Sequence, residues 1–267
     1  MIDLLRGFGR HQVVVWRLSL DLPDPLLRYC LEVLSPDESA RMRKFHRPHH
    51  RRRYGASQGL LRWLLAACLG RTPKSLQFVR HRWGKPCLRD GGDLNFNISH
   101  SRECLLVAVS RYVAIGVDVE AVHPLHSMEA MARRCFAAPE LAYWSGLPRG
   151  EKQQAFFRLW TLKEALMKAT GRGLGMGVER CVFSLDPLRL LALPAEYGGP
   201  DDWWPYELAA GGGFKASLCV QGGEVRVTQH ALPAEVLLSL SPQAAAAQGV
   251  EDGGGSTEVP HRTGHEQ

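Results

Sequence analysis

Val113-Ala-Ile-Gly-Val-Asp-Val-Glu120 alternates strictly from Ile115 onward. Successive side chains of a strand point to opposite faces, so Ile115, Val117 and Val119 share one face and Gly116, Asp118 and Glu120 the other. Two carboxylates at one strand end disfavour each other's ionised forms unless a cation sits between them. Oxygen ligands at this spacing suit Mg²⁺ or Mn²⁺. A solvated strand edge carries the same letters, so the pair alone decides no chemistry.

Working outward, Val13 to Leu20 is rich in β-formers and ends at Asp21-Leu-Pro-Asp-Pro25, a strand followed by a turn. Ser35-Pro-Asp-Glu38 offers an N-cap, a proline at the first helical position and the third-position acid of a capping box. Helices are predicted from Pro36 to Phe45 and from His49 to Leu69, the second stopped by Gly70. Short strands follow at Leu76 to Val79, Phe96 to Ser99 and Leu105 to Ser110. Beyond Glu120 the pattern predicts helices at Glu129 to Phe136, Pro139 to Ser145 and Glu151 to Thr170. Strands are then predicted near Val182, Tyr206, Phe214 to Val220 and Val225 to Gln229. The class is α+β, in an N-terminal half (1–113) and a C-terminal half (114–240) of similar content, with no letter-level repeat. From Ser241 the chain turns to Ala, Gly, Glu and Ser, and such a segment buries too little apolar surface to offset its ordering entropy. Residues 241–267 are predicted to be a disordered tail.

At 45% apolar and 22% charged residues, the 267-residue composition excludes a wholly disordered or fibrous chain. Seven scattered cysteines without a C-x-x-C pair predict buried thiols in a reducing compartment. The longest apolar run, Leu60 to Leu69, is interrupted by Arg62 and too short to span a bilayer, so a cytoplasmic protein without membrane contact is expected. Arg41 to Tyr54 holds seven Lys or Arg and no acid, more than the whole net charge of +6. That patch suits a polyphosphate ligand, an acidic protein or a solvated helix face. Nucleic acid is disfavoured because no stacking-aromatic array or zinc-finger spacing accompanies it.

On the long helix Trp160, Glu164 and Lys168 recur at i, i+4 and i+8 and lie on one face, with Lys163 about 100° round. Glu164 could add a third metal oxygen and Lys168 could hold a phosphate, although a Glu to Lys surface pair is the plainer reading. Asn97, Ser99 and Ser101 alternate with Phe96, Ile98 and His100, so a strand ending in Ser-His-Ser can offer hydroxyls and an imidazole to an anion; a simple turn histidine fits as well. Trp83-Gly-Lys-Pro86 reads as a turn able to hold a planar ring. Gly55-Ala-Ser-Gln-Gly59 matches a nucleophile elbow but lies in a basic helical pattern, and its small residues suit close helix packing.

Taken in order, Gly84-Lys-Pro86, Phe96-Asn-Ile-Ser-His-Ser101, Ile115-Gly-Val-Asp-Val-Glu120, Trp160-Thr-Leu-Lys-Glu-Ala-Leu-Met-Lys168 and Gly171-Arg-Gly173 resemble the 4′-phosphopantetheinyl transferase superfamily, of the longer Sfp type. The resemblance is clear over residues 35–173 and weaker to about 230. It implies two similar halves in a pseudo-twofold arrangement, with coenzyme A in the cleft between them, and transfer of phosphopantetheine to a serine of an apo acyl or peptidyl carrier protein, in a monomer. By that likeness Asp118, Glu120 and Glu164 match the magnesium ligands, Lys168 the pyrophosphate lysine and His100 the histidine on the coenzyme A phosphates, with Asn97 and Ser99 on the same strand. Gly84, Lys85 and Pro86 match the turn at the adenine, and Arg41 and Arg53 the 3′-phosphate site. A family lysine is Glu38 here, so part of that load is expected on Arg47, Arg51 or Arg80. The expected proton acceptor is Glu164 itself or a water held by the metal and a carboxylate, with Lys163 assisting by orientation. Carrier contacts are expected in the segment from Phe136 to Lys152, including Trp144 and Leu147.

Overall fold

The computed structural model describes residues 8–233 together with Val236. In chain order the elements are β1 (Gln12–Ser19), α1 (Asp24–Glu32), α2 (Pro36–Arg43), α3 (Pro48–Leu69), β2 (Phe78–Arg80), β3 (Pro86–Leu88), β4 (Leu94–Ser101), β5 (Cys104–Arg111) and β6 (Ile115–Ala121). They continue as α4 (Met128–Cys135), α5 (Ala138–Gly146), α6 (Arg149–Thr170), β7 (Val182–Leu185), β8 (Leu188–Ala192), β9 (Trp203–Glu207), β10 (Phe214–Gln221) and β11 (Arg226–Ala231). The tail predicted from 241 lies outside the described residues.

The strands form a four-stranded sheet ordered β11-β1-β5-β4, a three-stranded sheet ordered β6-β10-β9, and the hairpins β2-β3 and β7-β8. β11 runs parallel to β1, with Gln12 opposite Arg226 and Arg17 opposite Ala231, whereas β5 pairs with β1 antiparallel. Each sheet has an apolar face toward the other: Val13, Val15, Leu106 and Ala108 meet Val117, Val119, Leu218 and Val220 in one buried cluster. The outer face of the first sheet packs on α1 and α3, and α6 packs on β6 and β10 of the second.

The helix α1 is absent from the sequence prediction, which reads Asp21–Pro25 as a turn only. Pro25 falls in the first turn of α1, where no intrahelical N–H is needed, so the same prolines that end a strand start a helix. Leu26, Leu27 and Cys30 are its buried face, each leucine worth roughly 1.5–3 kcal/mol of transfer free energy. Gly59 lets α1 approach α3, because a Cβ there would lie 2.3 Å from that of Cys30. Gly55-Ala-Ser-Gln-Gly59 is therefore helix-packing surface inside α3, with no strand before its serine.

Candidate active site

The edge strands of the two sheets, β4 and β6, are joined by side chains. Asn97 Oδ1 accepts from the Val117 N–H at 2.8 Å, Ser99 Oγ from the Val119 N–H at 3.4 Å and Ser101 Oγ from the Ala121 N–H at 3.0 Å. The alternation seen in Asn97-Ile-Ser-His-Ser101 is thus a ladder in which polar side chains replace a strand's backbone acceptors, satisfying amides that would otherwise be buried and unpaired.

The same hydroxyls reach the carboxylates between those amides: Ser99 Oγ donates to Asp118 Oδ1 and Ser101 Oγ to Glu120 Oε2, both at 2.8 Å. From α6, Lys168 Nζ donates to Asp118 Oδ1 at 2.6 Å and to Ser99 Oγ at 2.8 Å. Gly116 permits this approach, since a Cβ there would lie 2.1 Å from the Ala165 carbonyl oxygen. Burial raises the pKa of Glu164 to about 7, with the charges of Asp118 and Glu120 adding and Lys168 opposing. Glu120 is also raised, by burial first and by Asp118, against the hydrogen bond from Ser101. The strand and the helix therefore bring Asp118, Glu120, Glu164 and Lys168 into one electrostatic cluster.

Among the described residues no cluster of three or more acids, histidines or cysteines stands ready to enclose a metal ion. Lys168 takes up part of the negative charge instead. The donor chemistry nevertheless fits a hard divalent cation: these are all carboxylates, and Asp118 Oδ2 is buried without a hydrogen-bond partner. A buried carboxylate oxygen left unpaired is costly, and a cation would satisfy it.

Next to Lys168 opens a cleft of about 1000 Å³ whose walls include Arg41, Tyr54, Arg80, Pro86, Ser99 and His100. Arg41 lies over the Tyr54 ring at 5.8 Å, and the charges of Arg41 and Arg80 are both felt at the Tyr54 hydroxyl. His100 sits exposed on the rim; partial desolvation of its ring lowers its pKa, with Lys168 and Arg53 contributing. Lys74 and Arg89 also line the cleft and escaped the sequence reading, for neither belongs to a periodic face or motif. Tyr54 and Gln58 escaped it too, although their i, i+4 spacing on α3 was a usable signal. Glu38 is occupied structurally: it closes the capping box with Ser35 and pairs with buried Arg62 at 2.7 Å. Of the three arginines expected to take the lost lysine's load, Arg80 lines the cleft, while Arg51 is tied to the Phe45 carbonyl at 3.1 Å.

Some expected site residues are committed elsewhere. Lys163 points into the core, fully buried, with its ammonium on Glu140 Oε2 at 2.7 Å and on the carbonyls of Val178 (3.0 Å) and Cys181 (2.6 Å). All three of its donors are used on these partners, which anchor α6 to the core. Asn97 is buried in the ladder and offers nothing to the cleft. Gly84 adopts a left-handed φ of 89° at the β2-β3 turn, and its carbonyl accepts from Arg80 at 2.7 Å. Only Pro86 of the Gly84–Pro86 turn reaches the large cleft; Lys85 lines a separate cavity of about 380 Å³. There its ammonium donates to the carbonyls of Ile115 (2.8 Å) and Ala169 (3.2 Å), and burial lowers its pKa to about 8. Phe136 and Trp144, expected to meet a carrier protein, are buried, the indole N–H bonded to the Lys152 carbonyl at 2.8 Å; exposed Tyr143 is the aromatic available there.

Residues 114–217 match the model of the 4′-phosphopantetheinyl transferase superfamily, and residues 24–111 match that of the 4′-phosphopantetheinyl transferase N-terminal region. The chain is 37% identical to the 4′-phosphopantetheinyl transferase HetI of Nostoc over 79% of its length and 88% of the relative's. It is 32% identical to a putative 4′-phosphopantetheinyl transferase of Synechocystis, over 72% and 78% of the two chains. It is 28% identical to the 4′-phosphopantetheinyl transferase Sfp of Bacillus subtilis over 56% of this chain and 65% of that one. The chain therefore belongs to the 4′-phosphopantetheinyl transferase superfamily, as a transferase with Sfp-type relatives. No described helix is long and apolar enough to cross a membrane.

Proposed function

We propose that this protein transfers the 4′-phosphopantetheine group of coenzyme A to a serine of an apo acyl or peptidyl carrier protein, releasing 3′,5′-ADP in a Mg²⁺-dependent reaction. The observation that carries the reading is the Asp118, Glu120, Glu164 and Lys168 cluster beside a cleft walled by Arg41, Arg80 and His100. A cationic cleft beside an acidic cluster suits a polyphosphate whose reacting end needs both a divalent cation and a base. The two sheets with their helices are read as pseudo-twofold halves, 1–113 and 114–240, with β11 crossing from the second into the first. The protein is read as a cytoplasmic monomer.

In this reading Arg41 and Arg80, with the charge of Arg53 nearby, hold the 3′-phosphate end of coenzyme A, and Pro86 borders the adenine. Asp118, Glu120 and Glu164 would hold the metal ion, which supplies charge neutralisation at the pyrophosphate. The serine Oγ of the carrier attacks the β-phosphorus; the bond from that phosphorus to the bridging oxygen breaks, and 3′,5′-ADP leaves with that oxygen. Lys168, freed from Asp118 when the acids are otherwise compensated, donates to the pyrophosphate oxygens, and His100 adds a further donor. Glu164, or a water held by one of these carboxylates, takes the serine proton.

The test is intact-protein mass spectrometry of apo carrier proteins incubated with coenzyme A, Mg²⁺ and the protein, with EDTA as control. A metal-dependent gain of one phosphopantetheine group is expected. Coenzyme A cleavage without any acceptor would make the protein a phosphohydrolase, and absence of coenzyme A binding would overturn the reading.

A further inference from the structure

The ladder between β4 and β6 does two jobs with one atom. A serine hydroxyl has one proton to donate and lone pairs to accept with. At Ser101 the proton goes to Glu120 Oε2 (2.8 Å), while the oxygen accepts from the N–H of Ala121 (3.0 Å), the residue after Glu120 in the chain. Ser101 therefore grips both the backbone and the carboxylate of one short stretch of β6. Asn97, two rungs away, grips only backbone.

We propose that Ser101 is a positioning residue which fixes the Glu120 carboxylate for a divalent cation. The inference rests on the metal-site reading above and goes beyond it in assigning the residue behind the ligand. A glutamate has three side-chain torsions, and leaving them free costs rotamer entropy each time a ligand is engaged. A hydroxyl bonded to one carboxylate oxygen and locked to the adjoining amide removes most of that freedom before the cation arrives. Hydrogen-bond partners of metal-binding side chains, when removed, typically cost roughly 10–100-fold in affinity. Ser101 is the last residue of β4, directly before Arg102, whose φ of 51° turns the chain into β5. The tight hairpin thus holds the serine's own backbone in place.

The experiment is calorimetric titration of the full chain with Mn²⁺, comparing the wild type with Ser101→Ala, Ser101→Cys, Ser101→Thr and Glu120→Gln, alongside thermal unfolding of each. Glu120→Gln is expected to weaken Mn²⁺ binding most. Ser101→Ala should weaken it about tenfold or more, and Ser101→Thr, which keeps the hydroxyl, should return it to within about threefold of wild type. Ser101→Cys conserves volume with a poor donor, so it reports the same loss if the alanine variant fails to fold. Mn²⁺ affinity unchanged in both Ser101→Ala and Ser101→Cys while Glu120→Gln binds weakly would overturn the role of Ser101 alone. Binding unchanged in Glu120→Gln as well would remove the metal-site reading, and this inference with it.

Discussion

Replacing Glu164 with glutamine should destroy transfer and at the same time make the metal-free protein more stable. The carboxyl is shifted from 4.5 to about 7, by burial first and then by the charges of Asp118 and Glu120. Below pH 4.5 the folded and unfolded chains both carry its proton. Between 4.5 and 7 the folded chain keeps the proton and the unfolded chain loses it, so this group's contribution to stability declines as pH rises, and is gone above 7. At full strength the displacement is worth roughly 3 kcal/mol. Because Glu164 is only partly buried, solvent screening reduces this to about 2 kcal/mol. Glutamine has the same shape and no charge, so in EDTA at pH 8 Glu164→Gln should be more stable than wild type by about 2 kcal/mol, or about 4–8 °C in Tm for a chain of this size. The gain should fade toward pH 5. Urea unfolding of both proteins at pH 5, 6.5 and 8 in EDTA measures it. A glutamine variant no more stable at pH 8, or a difference that ignores pH, would refute the claim that these acids are crowded together.

Three further outcomes follow from buried geometry. Lys163→Met leaves Glu140 charged in the core, which should cost about 3–5 kcal/mol, whereas Lys163→Met with Glu140→Gln, which removes the charge but keeps an acceptor for the buried Ala137 and Phe183 N–H groups, should recover part of the loss; equal urea midpoints for the single variant and wild type would contradict this. Lys85, with its pKa lowered to about 8, releases its proton in the folded chain before the unfolded chain does, so stability should rise between pH 8 and about 10.5 by roughly 2–3 kcal/mol. That rise should be missing from Lys85→Met in paired denaturant titrations. Gly116→Ala drives a methyl into the backbone of α6 at Ala165 and Ala169, and a loss of about 3 kcal/mol or more, together with weakened transfer, is expected; wild-type stability would show that β6 and α6 can separate freely.

Features with a short period were legible from the letters. The alternation of Ile115 to Glu120 and the helical stripe of Trp160, Glu164 and Lys168 follow from fixed geometry, and so does the Ser35 capping box. What escaped was pairing at a distance. A helical wheel turns Lys163 away from Glu164 by about 100°, but nothing in the spacing says that Glu140 and two carbonyls wait on that side. Glu38 looked like a lost phosphate ligand until Arg62, on another helix, accounted for its charge. The Asn97-Ser99-Ser101 alternation was visible, yet its use as a strand edge depends on β6 lying beside it, which local pattern does not convey. The strand near Val225 was expected, its parallel partner at Gln12 was not.

That last pairing bears on how the chain is made. β1 lies between β5 and β11, so the first sheet is incomplete until residue 231 has been synthesised. During translation one edge of Val13-Val-Val-Trp16 therefore waits unpaired for most of the chain, and such an edge is a template for another molecule's strand. An N-terminal half released early, by a ribosome that stalls or a protease that cuts near residue 113, inherits that sticky edge. The closing strand acts as a check on completeness, since only a chain translated through to it can cover the flank of its own first strand.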